Sequence, residues 1–75
     1  MRVPTYEQRV ARIKKPGDED KELRRAKAYV MRLRREVNKV FNPQQREVMQ
    51  ANLQAAEQVL RKMRQNIFDL APKSE

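Results

Sequence analysis

The sequence contains no histidine, no cysteine and no tryptophan, and its single glycine is Gly17. The only serine is Ser74, near the end of the chain, and the only threonine is Thr5. A catalytic serine or cysteine needs a neighbouring base, and a glycine-rich phosphate loop needs several glycines, so neither can be assembled here. The sequence therefore predicts a protein that is not an enzyme, binds no cofactor and holds no metal.

The absence of cysteine also excludes disulfides as a means of stabilising this chain of 75 residues. A domain of this size has a marginal hydrophobic core, and the mean hydropathy of −1.04 indicates a small supply of apolar residues. No apolar run approaches the roughly 20 residues that span a bilayer, and the N-terminus has no signal-peptide pattern. We therefore expect one small cytoplasmic domain, 1–75, that gains stability by associating with itself or a partner.

The sequence does contain two heptad ladders, in which apolar residues are alternately three and four positions apart. The ladders are separated only by Phe41-Asn42-Pro43. Such spacing gives each of two long helices a narrow apolar seam, and so short a break makes the helices antiparallel. The first seam is Leu23, Ala26, Val30, Leu33, Val37 and Val40, and the second is Met49, Leu53, Ala56, Leu60, Met63, Ile67 and Leu70.

These patterns predict an all-α fold, in which two long helices at about 20–41 and 43–70 form an antiparallel hairpin. A short N-terminal helix at about 6–15 precedes them. The remaining residues, 71–75, follow Pro72 and are expected to be a frayed tail.

The short helix has clear signals at both ends. Thr5 and Gln8 make a capping-box pattern at its start, and Pro16-Gly17 ends it. Asp18-Glu19-Asp20 then supplies the N-cap and first-turn charge of the next helix; a metal site would need more oxygen ligands than these. We expect the short helix to cover the open end of the hairpin, opposite the turn. Its apolar side consists of Tyr6, Val10 and Ile13.

Further apolar residues lie outside the two seams. A helix with a wide apolar face usually contacts two neighbours. These residues either complete a monomeric core or pair two hairpins into a four-helix bundle, and the thin core favours the homodimer. The residues predicted for self-association or partner docking are Tyr29, Met31, Val48, Ala55, Val59 and Phe68.

The positive charge is concentrated in the first part of the chain. The net charge is +8, from 18 basic and 10 acidic residues, and 13 of the 18 precede Pro43. Opposite the seam of the first long helix, five of six positions are basic, whereas a solvated face usually mixes both signs. This basic stripe is Lys21, Arg25, Ala28, Arg32, Arg35 and Lys39, with Arg24 at its edge. The short helix adds Arg9, Arg12, Lys14 and Lys15.

Two functions are compatible with these features. The favoured one is a helical interaction module, such as an adaptor, inhibitor or assembly subunit, that docks on a larger protein through apolar and basic faces. The alternative is a nucleic-acid-binding protein whose basic stripe contacts DNA or RNA phosphates. An anionic membrane surface fits less well, because the seams are narrow and contain no tryptophan. No small-molecule substrate is predicted.

Overall fold

The computed structural model describes residues 3–70, except for the side chains of Ile67 and Phe68. The described residues form an all-α hairpin with no strand, as predicted. The predicted tail, 71–75, lies outside them. The molecule measures 52 × 19 × 16 Å. Its helices are α1 (Tyr6–Val10), α2 (Asp18–Lys39), α3 (Pro43–Gln65) and α4 (Ile67–Leu70).

The core lies between α2 and α3 and is built from the two predicted seams. Leu33 and Met63 are its most deeply buried apolar side chains. Towards the turn the burial decreases, since Val40 and Met49 are only half-buried. The core is therefore concentrated at the open end of the hairpin, away from the turn. Its members are Ala26, Val30, Leu33, Ala56, Leu60, Met63 and Leu70.

The N-terminal segment packs on this core, which confirms that it covers the open end. Tyr6, Val10 and Ile13 all contact the core cluster, and Val3 joins them. An isolated helix of five residues is not stable in water, so α1 depends on this packing.

Helix α1 ends at Val10, five residues earlier than predicted. The N–H groups of Lys14 and Lys15 donate to the Asp18 carboxylate at 3.1 and 3.0 Å instead of to helix carbonyls. Gly17 then has φ +96°, a left-handed conformation that favours glycine, and α2 begins at once. The acids after Gly17 thus close the turn between α1 and α2.

Helix α2 has its predicted length but begins and ends two residues earlier than predicted, whereas α3 is shorter than predicted. Helix α2 ends at Lys39 because Val40 and Asn42 are extended, and a residue before proline disfavours the helical region. Asn42 caps α3, its side chain accepting from the Gln44 N–H at 2.9 Å. Helix α3 is interrupted at Asn66, whose φ and ψ of −108° and 24° leave the helical range. The interruption separates α4, which buries Leu70.

Within the described residues, no helix is long and apolar enough to cross a membrane.

The packing of α1 predicts a stability difference between two identical substitutions. Val10→Asp places a charge against the core, so we expect the free energy of unfolding to fall by about 1–3 kcal/mol. Val48→Asp is the matched control, because Val48 is exposed and should change stability by less than about 0.5 kcal/mol. Urea denaturation at low protein concentration measures both. Equal stability of the two variants would mean that α1 does not dock.

The turn between α1 and α2 predicts a pH dependence. The N–H groups of Lys14 and Lys15 hold the pKa of Asp18 below its usual 3.8. Because the native pKa is the lower one, the ionised carboxylate stabilises the fold above about pH 4, and this contribution is lost as the pH falls through the native pKa. The melting temperature of Asp18→Ala should therefore lie below that of the wild type at neutral pH, and the gap should close in acid.

The control for this prediction is Asp20→Ala, which removes a nearby acid that makes no bond to the turn among the described residues. A gap for Asp18→Ala that stays constant from neutral to strongly acidic pH would contradict the proposed role of the carboxylate.

Candidate interaction surfaces

One groove runs along the side of the hairpin between α2 and α3. Its α2 wall carries Glu22, Tyr29 and Glu36, and its α3 wall carries Val48, Ala55 and Lys62. The residues on each wall are seven positions apart and therefore share one side of their helix. The N-terminal segment occupies the groove at the open end, whereas the half nearer the turn is uncovered.

The occupied half contains a buried ion pair. Arg9 Nη1 lies 3.4 Å from Glu22 Oε2, and the two residues are 4% and 2% exposed. The Arg9 guanidinium also lies over the Tyr29 ring, 5.7 Å from its centre. Arg25 supplies a second partner for Glu22 at 2.9 Å. Since a buried carboxylate without a cation is costly, these contacts select this position of α1.

The other wall of the occupied half is covered as well. Lys62 Nζ lies 4.4 Å from the centre of the Tyr6 ring. Ala55 and Val59 line a small cleft with the segment from Val3 to Tyr6. Of the residues predicted for docking, Tyr29, Ala55 and Val59 are therefore half-buried within the monomer. The Tyr29 hydroxyl is buried and makes no hydrogen bond to the described residues.

The uncovered half forms the turn-end groove, with a volume of about 470 Å³. Val48 on its wall, one of the residues predicted for docking, is 61% exposed. Only one lining residue, Glu36, is charged, and the others are apolar or carry amides. The groove therefore has an apolar interior and a largely neutral rim. Its lining consists of Leu33, Glu36, Gln44, Gln45, Val48, Met49 and Asn52.

Phe41 is an exposed residue that sequence reasoning assigned to the end of the second helix. It lies instead in the connector between α2 and α3 and is 94% exposed. The sequence signal for this exposure is the position of Phe41 next to Asn42-Pro43. Proline disfavours the helical conformation of the residue before it, so the helix ends nearby and Phe41 does not share the buried face of α2. Phe41 and the turn-end groove thus lie at the same end of the molecule.

The basic stripe is exposed along the outer face of α2. Two of its arginines are engaged with acids on the same helix: Arg25 with Glu22 at 2.9 Å and Arg32 with Glu36 at 3.8 Å. Both arginine side chains remain about two-thirds exposed. Among the described residues, the other cations on this face make no ion pair. They are Lys21, Arg24, Arg35 and Lys39.

The four basic residues of the N-terminal segment that were predicted for binding have different positions in the structure. Arg9 is buried against Glu22 and does not belong to the exposed basic surface. Arg12 lies next to Lys21 and Arg25 in a small polar cleft whose lining also includes Asp18 and Glu22, so it extends the stripe at that end. Lys14 and Lys15 are exposed in the turn before α2.

The remaining two predicted docking residues differ in position. Met31 is 44% exposed on α2, away from the groove. The Phe68 side chain lies outside the described part of the molecule.

In the described part of the molecule, no group of three acidic side chains is arranged to hold a metal ion.

No protein-family model, curated protein or solved structure matches this chain.

The buried ion pair predicts that Arg9 matters more for stability than its neighbours on the surface. Arg9→Ala leaves the Glu22 carboxylate buried with Arg25 alone, so we expect the free energy of unfolding to fall by about 2 kcal/mol. Combining Arg9→Met with Glu22→Gln should recover part of the loss, because no buried charge remains. Arg12→Ala is the exposed control. If urea denaturation shows that Arg12→Ala lowers the free energy of unfolding as much as Arg9→Ala does, the stabilising role of the buried ion pair is contradicted.

Proposed function

We propose that this chain is a non-enzymatic helical-hairpin interaction module that docks on a larger protein through the outer face of α2. One observation carries the proposal: an exposed apolar side chain, Met31, lies beside the exposed basic stripe. Met31 is three positions after Ala28 and four before Arg35, so these residues are neighbours on the helix surface. Arginine and methionine are both enriched at protein interfaces. The fitting partner has acidic side chains around an apolar patch.

The arrangement of charge supports this choice of partner. The stripe extends for about 27 Å along α2. A surface of one sign attracts an oppositely charged protein and accelerates their association, while the apolar anchor slows dissociation. The absence of cysteine is consistent with a cytoplasmic setting for the module, and this location is part of the proposal.

Nucleic-acid binding is the second candidate, and the position of Arg12 favours it. Arg12 lies with Lys21 and Arg25 at one end of the stripe, in a cleft that also contains Asp18 and Glu22, so three cations outnumber two acids there. Such binding would rest on the backbone and would carry little sequence specificity. Four aromatic residues, distributed over different elements, do not form a stacking platform for single strands.

Charge reversal on the stripe tests both candidates. The double variant Arg32→Glu, Arg35→Glu should weaken binding to any anionic partner by at least about tenfold, because each exposed contact turns repulsive. The matched control is Arg46→Glu, Arg61→Glu on α3, which changes the net charge equally. Partners captured on the immobilised wild type, together with duplex DNA and RNA, are titrated against all three proteins. Equal affinities for the two double variants would exclude the stripe as a binding surface.

Met31 distinguishes the two kinds of partner. Met31→Asp should reduce affinity for an acidic protein by about tenfold or more, since the apolar anchor is lost and like charges meet. Met31→Ala should leave the affinity for DNA or RNA unchanged, and that affinity should fall steeply between about 50 and 200 mM salt. Strong, salt-sensitive binding to nucleic acid that is unchanged by Met31→Ala would support nucleic-acid binding, the second candidate.

A further inference from the structure

Phe41 is unusually exposed for an aromatic residue. Aromatic side chains typically bury about 150–250 Å² each, whereas Phe41 is 94% exposed in the connector at the turn. A large, exposed apolar side chain at the end of a hairpin is typical of a residue that anchors a protein interface. It has no packing role within the described monomer, so its removal should not disturb the fold.

The turn-end groove has the size and chemistry to receive such a side chain. Its volume is about 470 Å³, and a closed apolar cavity of about 150 Å³ is enough to bind benzene. Leu33, Val48 and Met49 give it apolar surface. The opposite half of the same groove already holds aromatic and aliphatic side chains of the N-terminal segment, including Tyr6 and Val10.

The rim of the groove is compatible with a copy of itself. Gln44, Gln45 and Asn52 carry amides, which both donate and accept hydrogen bonds, so identical rims can pair across a two-fold axis. A rim of like charges would repel its copy.

The distribution of charge also selects this end of the molecule. Each chain carries +8, most of it before residue 43. Around the turn, residues 36–50 contain two basic residues, Lys39 and Arg46, and two acidic residues, Glu36 and Glu47, so this stretch has no net charge. Two copies therefore repel each other least when they meet through their turn ends.

We propose that two copies of this chain associate through their turn ends, with Phe41 of each copy inserted into the turn-end groove of the other. The contact is isologous, so both anchors are buried at once and neither groove remains open. This inference goes beyond the proposed function, because it uses the turn end and leaves the basic stripe outside the groove lining.

Sedimentation equilibrium across the micromolar range tests the proposal. We expect the wild-type mass to rise with concentration towards twice the monomer mass of 9.0 kDa. Phe41→Ala should weaken dimerisation by about 30-fold, the effect of losing a central aromatic anchor, and Val48→Asp should weaken it similarly. Met31→Ala removes an exposed apolar side chain outside the groove and should leave the dimer unchanged. Circular dichroism checks that each variant remains helical.

A fluorescent variant shows whether residue 41 itself enters the interface. The chain has no tryptophan, so Phe41→Trp provides a single reporter. Its emission should shift to shorter wavelength as the dimer forms. Emission typical of an exposed indole at concentrations where the protein is dimeric would overturn the proposal, because the copies would then meet elsewhere.

Salt and a larger partner separate this inference from the proposed function. Raising the salt should preserve or strengthen the dimer, because it screens repulsion between two positive chains, whereas binding through the basic stripe should weaken. A wild type that stays at 9.0 kDa throughout, or a dimer insensitive to Phe41→Ala, overturns the inference. A monomer whose capture of a larger protein is lost with Val48→Asp would assign the groove to that protein instead and overturn it equally.

Discussion

The buried contact between Arg9 and Glu22 determines where the N-terminal segment lies, and the division of the groove depends on it. The pair holds α1 at the open end, where Tyr6 and Val10 complete the core. A five-residue helix is only about 7.5 Å long, whereas the molecule extends for 52 Å. The segment therefore covers one half of the groove and leaves the other half uncovered.

Two surfaces with different chemistry follow from this arrangement. The basic stripe on the outer face of α2 is charged and attracts anions over a long range. The turn-end groove is nearly neutral, apolar in its interior and bordered by amides. A surface of the first kind favours fast, salt-dependent association, and one of the second kind favours close packing that withstands salt. The proposed acidic partner and the proposed second copy would therefore be contacted through separate residues.

Much of the fold was predictable from the sequence, because heptad spacing determines which side of a helix is apolar. Ala26, Val30 and Leu60 are buried as that spacing requires, and Asn42-Pro43 separates the two long helices. The helix ends were less predictable, since they depend on which acceptor each N–H group finds. The N–H groups of Lys14 and Lys15 donate to Asp18, which lies four and three residues further along the chain. Helix propensities do not predict this contact. Asn66 similarly interrupts a ladder whose spacing is continuous.

The sequence by itself determined the all-α hairpin, its seams and the basic stripe, because each arises from periodicity along one helix. Only the tertiary structure decided which candidate residues remain available. Arg9 shares the charge of Arg12 but is buried, and Val59 shares the chemistry of Val48 but faces the N-terminal segment. These outcomes depend on a contact between residues 13 positions apart on different helices. Periodicity within one helix contains no information about that contact, so it could not predict which half of the groove stays open.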